Sequence, residues 1–253
     1  MLAVASRLAG AAGDVLRDRP AEFGVSTKSS PTDVVTVMDR AAERVILDGL
    51  ARERPHDAVM SEESPAAAGD TGVRWLVDPL DGTVNYLYGI PFYAVSIAAE
   101  VDGTVVVGVV LDVARRTEYA AVLGRGATRD GEPISCSDQT DPAFSLVATG
   151  FNYTRALRTR QAMSIASILP QVRDIRRIGA AALDLCAVAC GEVDAFFEAG
   201  MHVWDWAAGA LIAREAGARV DGLRGAPPGE HTTLAANPRL FAQLHDVLVS
   251  AGS

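Results

Sequence analysis

The chain has 253 residues, 49% of them hydrophobic and 22% charged, which supports a full apolar core and excludes a disordered, collagen-like or coiled-coil chain. The formal net charge of −9 argues against a broad electrostatic footprint on nucleic acid or on an anionic membrane. Three cysteines with no Cys-x-x-Cys pair, and no apolar run of about 18 residues, point away from a disulfide framework, a zinc site and a membrane span, and toward the cytoplasm.

In chain order, Leu2, Ala5, Leu8, Ala12, Val15 and Leu16 fall near helical spacing, with Arg7 and Asp14 interrupting the apolar run. This reads as an amphipathic surface helix rather than a signal peptide. Lys28-Ser-Ser-Pro-Thr-Asp33 reads as a turn. Thr36-x-x-Asp39 has the outline of a capping box, so a second helix is expected from near Thr36 to about Arg54, with Pro55 after it. Val59-Met60 suggests a short strand ending in Ser61-Glu62-Glu63, followed by a small, polar, flexible stretch over 64–71. Residues 73–77 read as a buried strand stopped by Asp78-Pro79.

Strands over 93–100 and 104–111 flank Asp102-Gly103, a strong hairpin signal, and 117–121 adds a third. The polar stretch 135–142 suggests a boundary between an N-terminal α+β half, 1–137, and a C-terminal α/β half, 138–253. Beyond it the pattern predicts a strand at 146–149, a helix at 158–169 and a small-residue helix at 180–189 closed by Gly191. A strand at 195–198 and a helix from about Asp205 to Ala216, stopped by Gly217, complete the pattern.

Acidic residues recur where elements end: Glu62 and Glu63 after a strand, Asp78 and Asp81 after another, Asp205 at a helix start. Taken singly, each reads as a turn or cap residue. Side chains at strand ends can also converge on one crevice in an α/β fold, and carboxylates that converge repel. A hard divalent ion such as Mg²⁺ removes that repulsion, and an all-oxygen donor set selects it. The string Asp78-Pro79-Leu80-Asp81-Gly82-Thr83 is the most informative. It sets two carboxylates and the Leu80 carbonyl close together, then a glycine that admits an anion and a hydroxyl that can orient water.

These residues resemble the inositol monophosphatase family. Trp75-Leu-Val-Asp-Pro-Leu-Asp-Gly-Thr-Val-Asn85 is similar to one of its signatures, and Trp204-Asp-Trp-Ala-Ala-Gly209 with Glu215-Ala-Gly217 to the other. Lys28-Ser-Ser-Pro-Thr-Asp33 and Ser61-Glu-Glu-Ser64 match two further segments, and the likeness spans roughly 28–220 in the same order. The resemblance implies a layered αβαβα sandwich of the inositol monophosphatase and fructose-1,6-bisphosphatase type, in many members a homodimer. It implies that Glu62, Asp78, Asp81, Asp205 and the Leu80 carbonyl bind two or three Mg²⁺ ions, with Mn²⁺ as a substitute. Thr83 would help hold the attacking water, with Asp39 as its partner and Glu62 as the competing general base. The amides of Gly82 and Thr83 would hold phosphate, and Asp81, Ala181, Glu198 and Asp205 would contact the substrate. Two departures stand out: Ser61 replaces the usual glycine, and Ala180 stands where many relatives have Ser or Thr.

The implied activity is hydrolysis of a small polyol phosphate, most simply myo-inositol monophosphate. Histidinol phosphate, fructose 1,6-bisphosphate and adenosine 3′,5′-bisphosphate are alternatives within the class. A regulatory or protein-interaction role on the same fold is the alternative outside it. His202 reads as a loop residue near the site, and Cys186 and Cys190 as small core residues one helical turn apart. Arg173, Arg176 and Arg177 read as a solvated face or as a basic patch at a dimer edge or near substrate.

Overall fold

Alternation of large and small side chains sets how closely the layers of this fold approach. The computed structural model describes residues 1–20, 24–27, 34–229 and 231–252; the turn expected at 28–33, with Lys28, lies outside them. The first half carries α1 (Leu2–Arg17), β1 (Val25–Thr27), β2 (Val34–Thr36), α2 (Val37–Glu53), β3 (Ala58–Ser61), β4 (Val73–Asp81), α3 (Thr83–Tyr88), β5 (Ala94–Val101), β6 (Thr104–Asp112), β7 (Thr117–Val122), β8 (Ala127–Arg129) and β9 (Glu132–Pro133). There follow β10 (Leu146–Thr149), α4 (Arg155–Ile168), β11 (Asp174–Arg176), α5 (Ala181–Ala189), β12 (Ala195–Ala199), α6 (Val203–Glu215), β13 (Arg219–Gly222), β14 (Thr232–Ala236) and α7 (Pro238–Ser250).

Strands β3 to β9 lie side by side in chain order as a seven-stranded sheet, antiparallel except for the β3–β4 pair. Strands β1 and β2 pair with each other, and β10 to β14 make a five-stranded sheet, the second layer, ordered β11-β10-β12-β14-β13. The layers run α1 and α2, first sheet, α5 and α6, second sheet, α4 and α7. This is the expected αβαβα sandwich.

Period-two alternation explains the stacking. Along β5, Val95, Ile97 and Ala99 join Leu8, Ala12, Ile46 and Leu50 in the outer core. Ala94 and Ala98 face the other way, toward α5 and α6. That inner face is lined by small residues because a helix backbone runs close to it. A Cβ on Gly108 of β6 would lie 2.7 Å from the Ala208 carbonyl oxygen of α6. Helices α5 and α6 are buried all round, which suits a central layer. Gly108→Ala is therefore expected to destabilise the protein by about 1–3 kcal/mol by overpacking, read as a lower midpoint in urea with an unchanged m-value.

Local chemistry accounts for the element ends. Thr36 caps α2, and Asp39 returns its carboxylate to the Thr36 amide at 2.8 Å, completing the expected capping box. The hairpin between β5 and β6 turns on Asp102 (φ 49°) and Gly103 (φ 83°), the paired left-handed residues that such a turn requires. The stretch 64–71 is tethered to β3, since Val59 and Ala67 exchange both backbone hydrogen bonds.

Three expectations are corrected. Strand β4 does not stop at Pro79 but runs on to Asp81, with a register shift against β5 between Asp78 and Asp81. Proline has no amide to donate, and the irregularity places it where the ladder asks for none. Helix α6 begins at Val203, so Asp205 is its third residue rather than its cap. Helix α4 begins at Arg155, three residues before the predicted 158.

Candidate active site

The site forms where β3 ends beside the last residues of β4. Ser61 pairs with Val77 in parallel register, so Glu62 leaves the sheet next to Asp78, which is still paired with Ser96 of β5, and the Glu62 amide donates to the Val77 carbonyl at 3.2 Å. Glu43 of α2 holds the outgoing loop: its Oε1 accepts from the Ser61 hydroxyl and the Glu63 amide, and its Oε2 from the Ser64 hydroxyl. Ser61, one of the two departures from the family pattern expected from sequence, thus has a defined role in holding this loop.

Backbone amides fix one oxygen of each of three acids. Asp78 Oδ1 accepts from the Leu80 amide at 3.0 Å. Asp81 Oδ2 accepts from the Ala182 amide at 2.8 Å, so an acid from β4 satisfies the start of α5, whose own cap position is Ala180. Asp205 Oδ2 accepts from the His202 amide at 2.7 Å in the capping box of α6. Helix capping, the simpler role for Asp205, is present alongside its place in the cluster.

The acids disturb one another. Asp78 is 2% exposed, and its pKa lies well above the ordinary value. Burial is the first cause, followed by the charges of Glu62, Asp81 and Asp205. Asp205 is likewise well raised by burial and then by Glu62 and Asp81. Burial raises Asp81 to about 7, against hydrogen bonds from the Ala182 and Ala181 amides. Four acids from two elements and a loop therefore share one electrostatic environment.

This donor set suits a hard divalent cation. Every candidate ligand is an oxygen, and the mutual repulsion is the kind a bound cation relieves. As they stand, no three His, Cys, Asp or Glu side chains among the described residues are grouped tightly enough to enclose a metal ion. The fit rests on donor chemistry and on that repulsion.

Beside the acids, Gly82 is left-handed (φ +87°), and a Cβ there would lie 3.0 Å from the Phe92 carbonyl and 3.3 Å from the Ala180 Cβ. The turn therefore needs glycine at 82. Thr83 opens α3 with its hydroxyl 2.9 Å from Asp39 Oδ1 and 3.0 Å from the Leu80 carbonyl oxygen. A hydroxyl has one proton for these two acceptors, and its lone pairs stay available to a third group. Asp39 is fully buried; burial raises its pKa, against hydrogen bonds from Thr36 and Thr83.

Across the cleft, Glu198 of β12 is raised to about 7, first by burial and then by Asp81, with Arg177 opposing. Gly150 leaves room for it, since a Cβ there would lie 1.9 Å from Glu198 Oε2. Ala181, the first residue of α5, directs its amide to Asp81. His202 caps α6 and stacks on Trp204 with ring centroids 4.8 Å apart. Of the three arginines, Arg176 pairs with Asp174 and Arg173 lies over Phe144, whereas the charge of Arg177 acts on Asp81, Asp184 and Glu198.

Two participants escape a sequence reading. Glu43 anchors the Ser61–Ser64 turn from a helix interior. Asp184 is 1% exposed, neither of its carboxylate oxygens has a hydrogen-bond partner among the described residues, and burial and then Glu198 raise its pKa well above normal. It stands in an apolar run, Ala181-Ala-Leu-Asp184-Leu-Cys-Ala. A lone acid on a buried helix was the available signal.

The sequence profile of the inositol monophosphatase family matches residues 1–252. The inositol-1-monophosphatase SuhB of Mycobacterium tuberculosis is 49% identical over 237 residues, covering 86% of this chain and 82% of its own. The protein called Nus factor SuhB in Escherichia coli is 38% identical over 262 residues, covering 99% and 98%. The crystal structure of extragenic suppressor protein SuhB from Bartonella henselae superposes with a TM-score of 0.90 at 35% identity, covering 97% of this chain and 96% of that one. Motif order, layer order and these likenesses agree: the chain belongs to the inositol monophosphatase family, a family of phosphatases.

Proposed function

We propose that this protein is a Mg²⁺-dependent phosphomonoesterase that hydrolyses a small polyol phosphate, most simply myo-inositol monophosphate. The observation that carries this reading is the Thr83 hydroxyl. It lies between Asp39 and the Leu80 carbonyl, beside carboxylates that hold one another's pKa values high. Glu62, Asp78, Asp81, Asp205 and the Leu80 carbonyl would hold two or three Mg²⁺ ions. When bound, such ions supply a lowered pKa for water and charge neutralisation for phosphate and leaving oxygen.

The chain's own residues do the positioning. Asp39 fixes the Thr83 hydroxyl, so that the hydroxyl oxygen can orient an attacking water. Glu62, at the edge of the same cluster, is the second candidate for taking its proton. The amides of Gly82 and Thr83 stand at the start of α3, where backbone donors suit a phosphate. Glu198 can accept from a substrate hydroxyl, which favours a polyol. No covalent phospho-enzyme is needed. The three cysteines are free thiols, which suits a reducing cytoplasm, and the family resemblance favours a homodimer.

Phosphate release from inositol monophosphate, histidinol phosphate, fructose 1,6-bisphosphate and adenosine 3′,5′-bisphosphate tests the reading. The assay is run with Mg²⁺, with Mn²⁺, with EDTA and with Li⁺. Inositol monophosphate should turn over fastest and EDTA should stop it; no release from any ester overturns the proposal. Thr83→Ala should lower kcat by about 10²-fold with Thr83→Ser restoring most of it, since the hydroxyl is the operative group. An equal loss in both variants would show that shape, not the hydroxyl, matters there.

A relative called a Nus factor, similar along nearly the whole chain, favours a second reading, a regulatory role on the same fold. The two are compatible, because the catalytic residues named above are all present.

A further inference from the structure

The second sheet has a cavity on the side turned away from the carboxylate cluster. It has a volume of about 410 Å³ and lies between α4 and the ends of β10, β12 and β14. None of Glu62, Asp78, Asp81, Thr83 or Asp205 lines it. Strand alternation explains the separation: Phe197 and Leu234 belong to the outer core with α7, whereas Phe196 and Ala235 belong to the core around α5 and α6. Glu198 is common to the cavity wall and the active site, and its carboxylate lies against the Gly150 backbone.

The volume falls in the range of small-molecule pockets. The walls are largely apolar, with Leu157, Ile165, Phe197 and Leu223. Two of the polar groups there are already used inside the fold. Thr149 Oγ1 donates to the Phe197 carbonyl at 2.8 Å, and Ser164 Oγ to the Ala251 carbonyl at 3.3 Å. The other polar lining residues are Gln161, whose Oε1 accepts from the Asn152 amide, Thr232, Glu198, and the exposed Arg160, Arg224 and His231, the last three being cations or able to become so. Arg129, Arg176 and Arg219 each pair with a carboxylate, but Arg160 and Arg224 form no ion pair among the described residues. A chain of net charge −9 thus sets two arginines without an ion pair among the described residues beside one largely apolar hollow. Arg224 is also held left-handed (φ 55°), where glycine is the usual residue, with its amide donating to His245 Nε2 at 3.0 Å.

We propose that this cavity is a second ligand site, for a small organic anion with an apolar body. The body lies on Leu157, Ile165 and Phe197, and the anionic group meets Arg160 and Arg224. The proposal goes beyond the phosphatase reading and shares one residue with it, Glu198.

The test uses the full chain with Mg²⁺ and two fluorescent probes that share one apolar body. They are 8-anilinonaphthalene-1-sulfonate and the uncharged N-phenyl-1-naphthylamine. The sulfonate should bind one per chain, about tenfold more tightly than the uncharged probe. Arg160→Ala combined with Arg224→Gly should erase that tenfold difference while leaving the uncharged probe unchanged. Saturating inorganic phosphate, which competes at the carboxylate site, should not displace the sulfonate. Ser164→Phe, which fills the cavity, should remove binding of both probes; if that variant fails to fold, the arginine pair decides alone. Equal affinity for the two probes, unchanged sulfonate affinity in the arginine variant, or displacement by phosphate would overturn the proposal.

Discussion

Asp81→Asn is expected to lower kcat by about 10³-fold or more and to leave the thermal midpoint in EDTA at pH 8 unchanged or higher. The two effects come from different halves of one side chain. Asparagine keeps a carbonyl oxygen that can accept the Ala182 amide, as Asp81 Oδ2 does at 2.8 Å, so the start of α5 stays satisfied. It loses the charge that repels Glu62, Asp78 and Asp205, a charge held against burial in a group whose pKa is pushed up to about 7. A purely structural aspartate would give the opposite pattern, a lower midpoint with turnover little changed. Phosphate release and circular-dichroism melts on the same preparation separate the two, and near-normal turnover would refute the assignment of Asp81 to the reaction.

Stability in EDTA should fall as pH rises from about 5 to 8, and Mg²⁺ should reverse most of the fall. Asp78, Asp184 and Asp205 lie well above their ordinary value of 3.8 in the folded chain, and Asp81 and Glu198 are pushed up to about 7. For such acids the folded state binds protons that the unfolded chain has already released. Their contribution is fully present below the unfolded values and is lost as pH rises through the folded ones. Each tenfold gain in an acid's proton affinity on folding is worth up to about 1.4 kcal/mol before screening. Asp57, lowered by bonds from Arg54, Thr71 and Trp75 against the opposing effect of burial, works in the other direction, but only as pH falls below its ordinary value. Melting midpoints at pH 5, 6, 7 and 8, with EDTA and with Mg²⁺, check this. A flat profile in EDTA would mean that the carboxylates do not share a field. An equal Mg²⁺ effect at pH 5 and 8 would mean that the ion does not bind there.

The parts of this fold legible in sequence are those whose cause is local. The Thr36 box, the Asp102-Gly103 hairpin and the Gly191 and Gly217 stops each depend on a few adjacent residues, and each appears where expected. The carboxylates were legible as a set because a long motif fixes their spacing. What was hidden depends on distant partners. Nothing near Pro79 announces that β5 lets the strand continue past it with a shift in register. Strand β14, Thr-Thr-Leu-Ala-Ala, has too little alternation to read as a strand, because both its faces are buried. Glu43 and Asp184 look like ordinary helix residues until the fold brings Ser61 to one and Glu198 near the other.

The backbone bonds to the acids bear on which ion the site would prefer. Asp78 and Asp205 each have one named oxygen held by an amide, which leaves the other as the natural donor, whereas Asp81 accepts from two amides. Ligation through single oxygens suits the small ion that demands near-octahedral geometry and keeps its waters. It suits calcium poorly, since calcium gathers more oxygens and often grips a carboxylate by both. Discrimination by ionic radius would then be written into the denticity of Asp78 and Asp205, fixed by the same amides that begin a helix and shape the end of a strand.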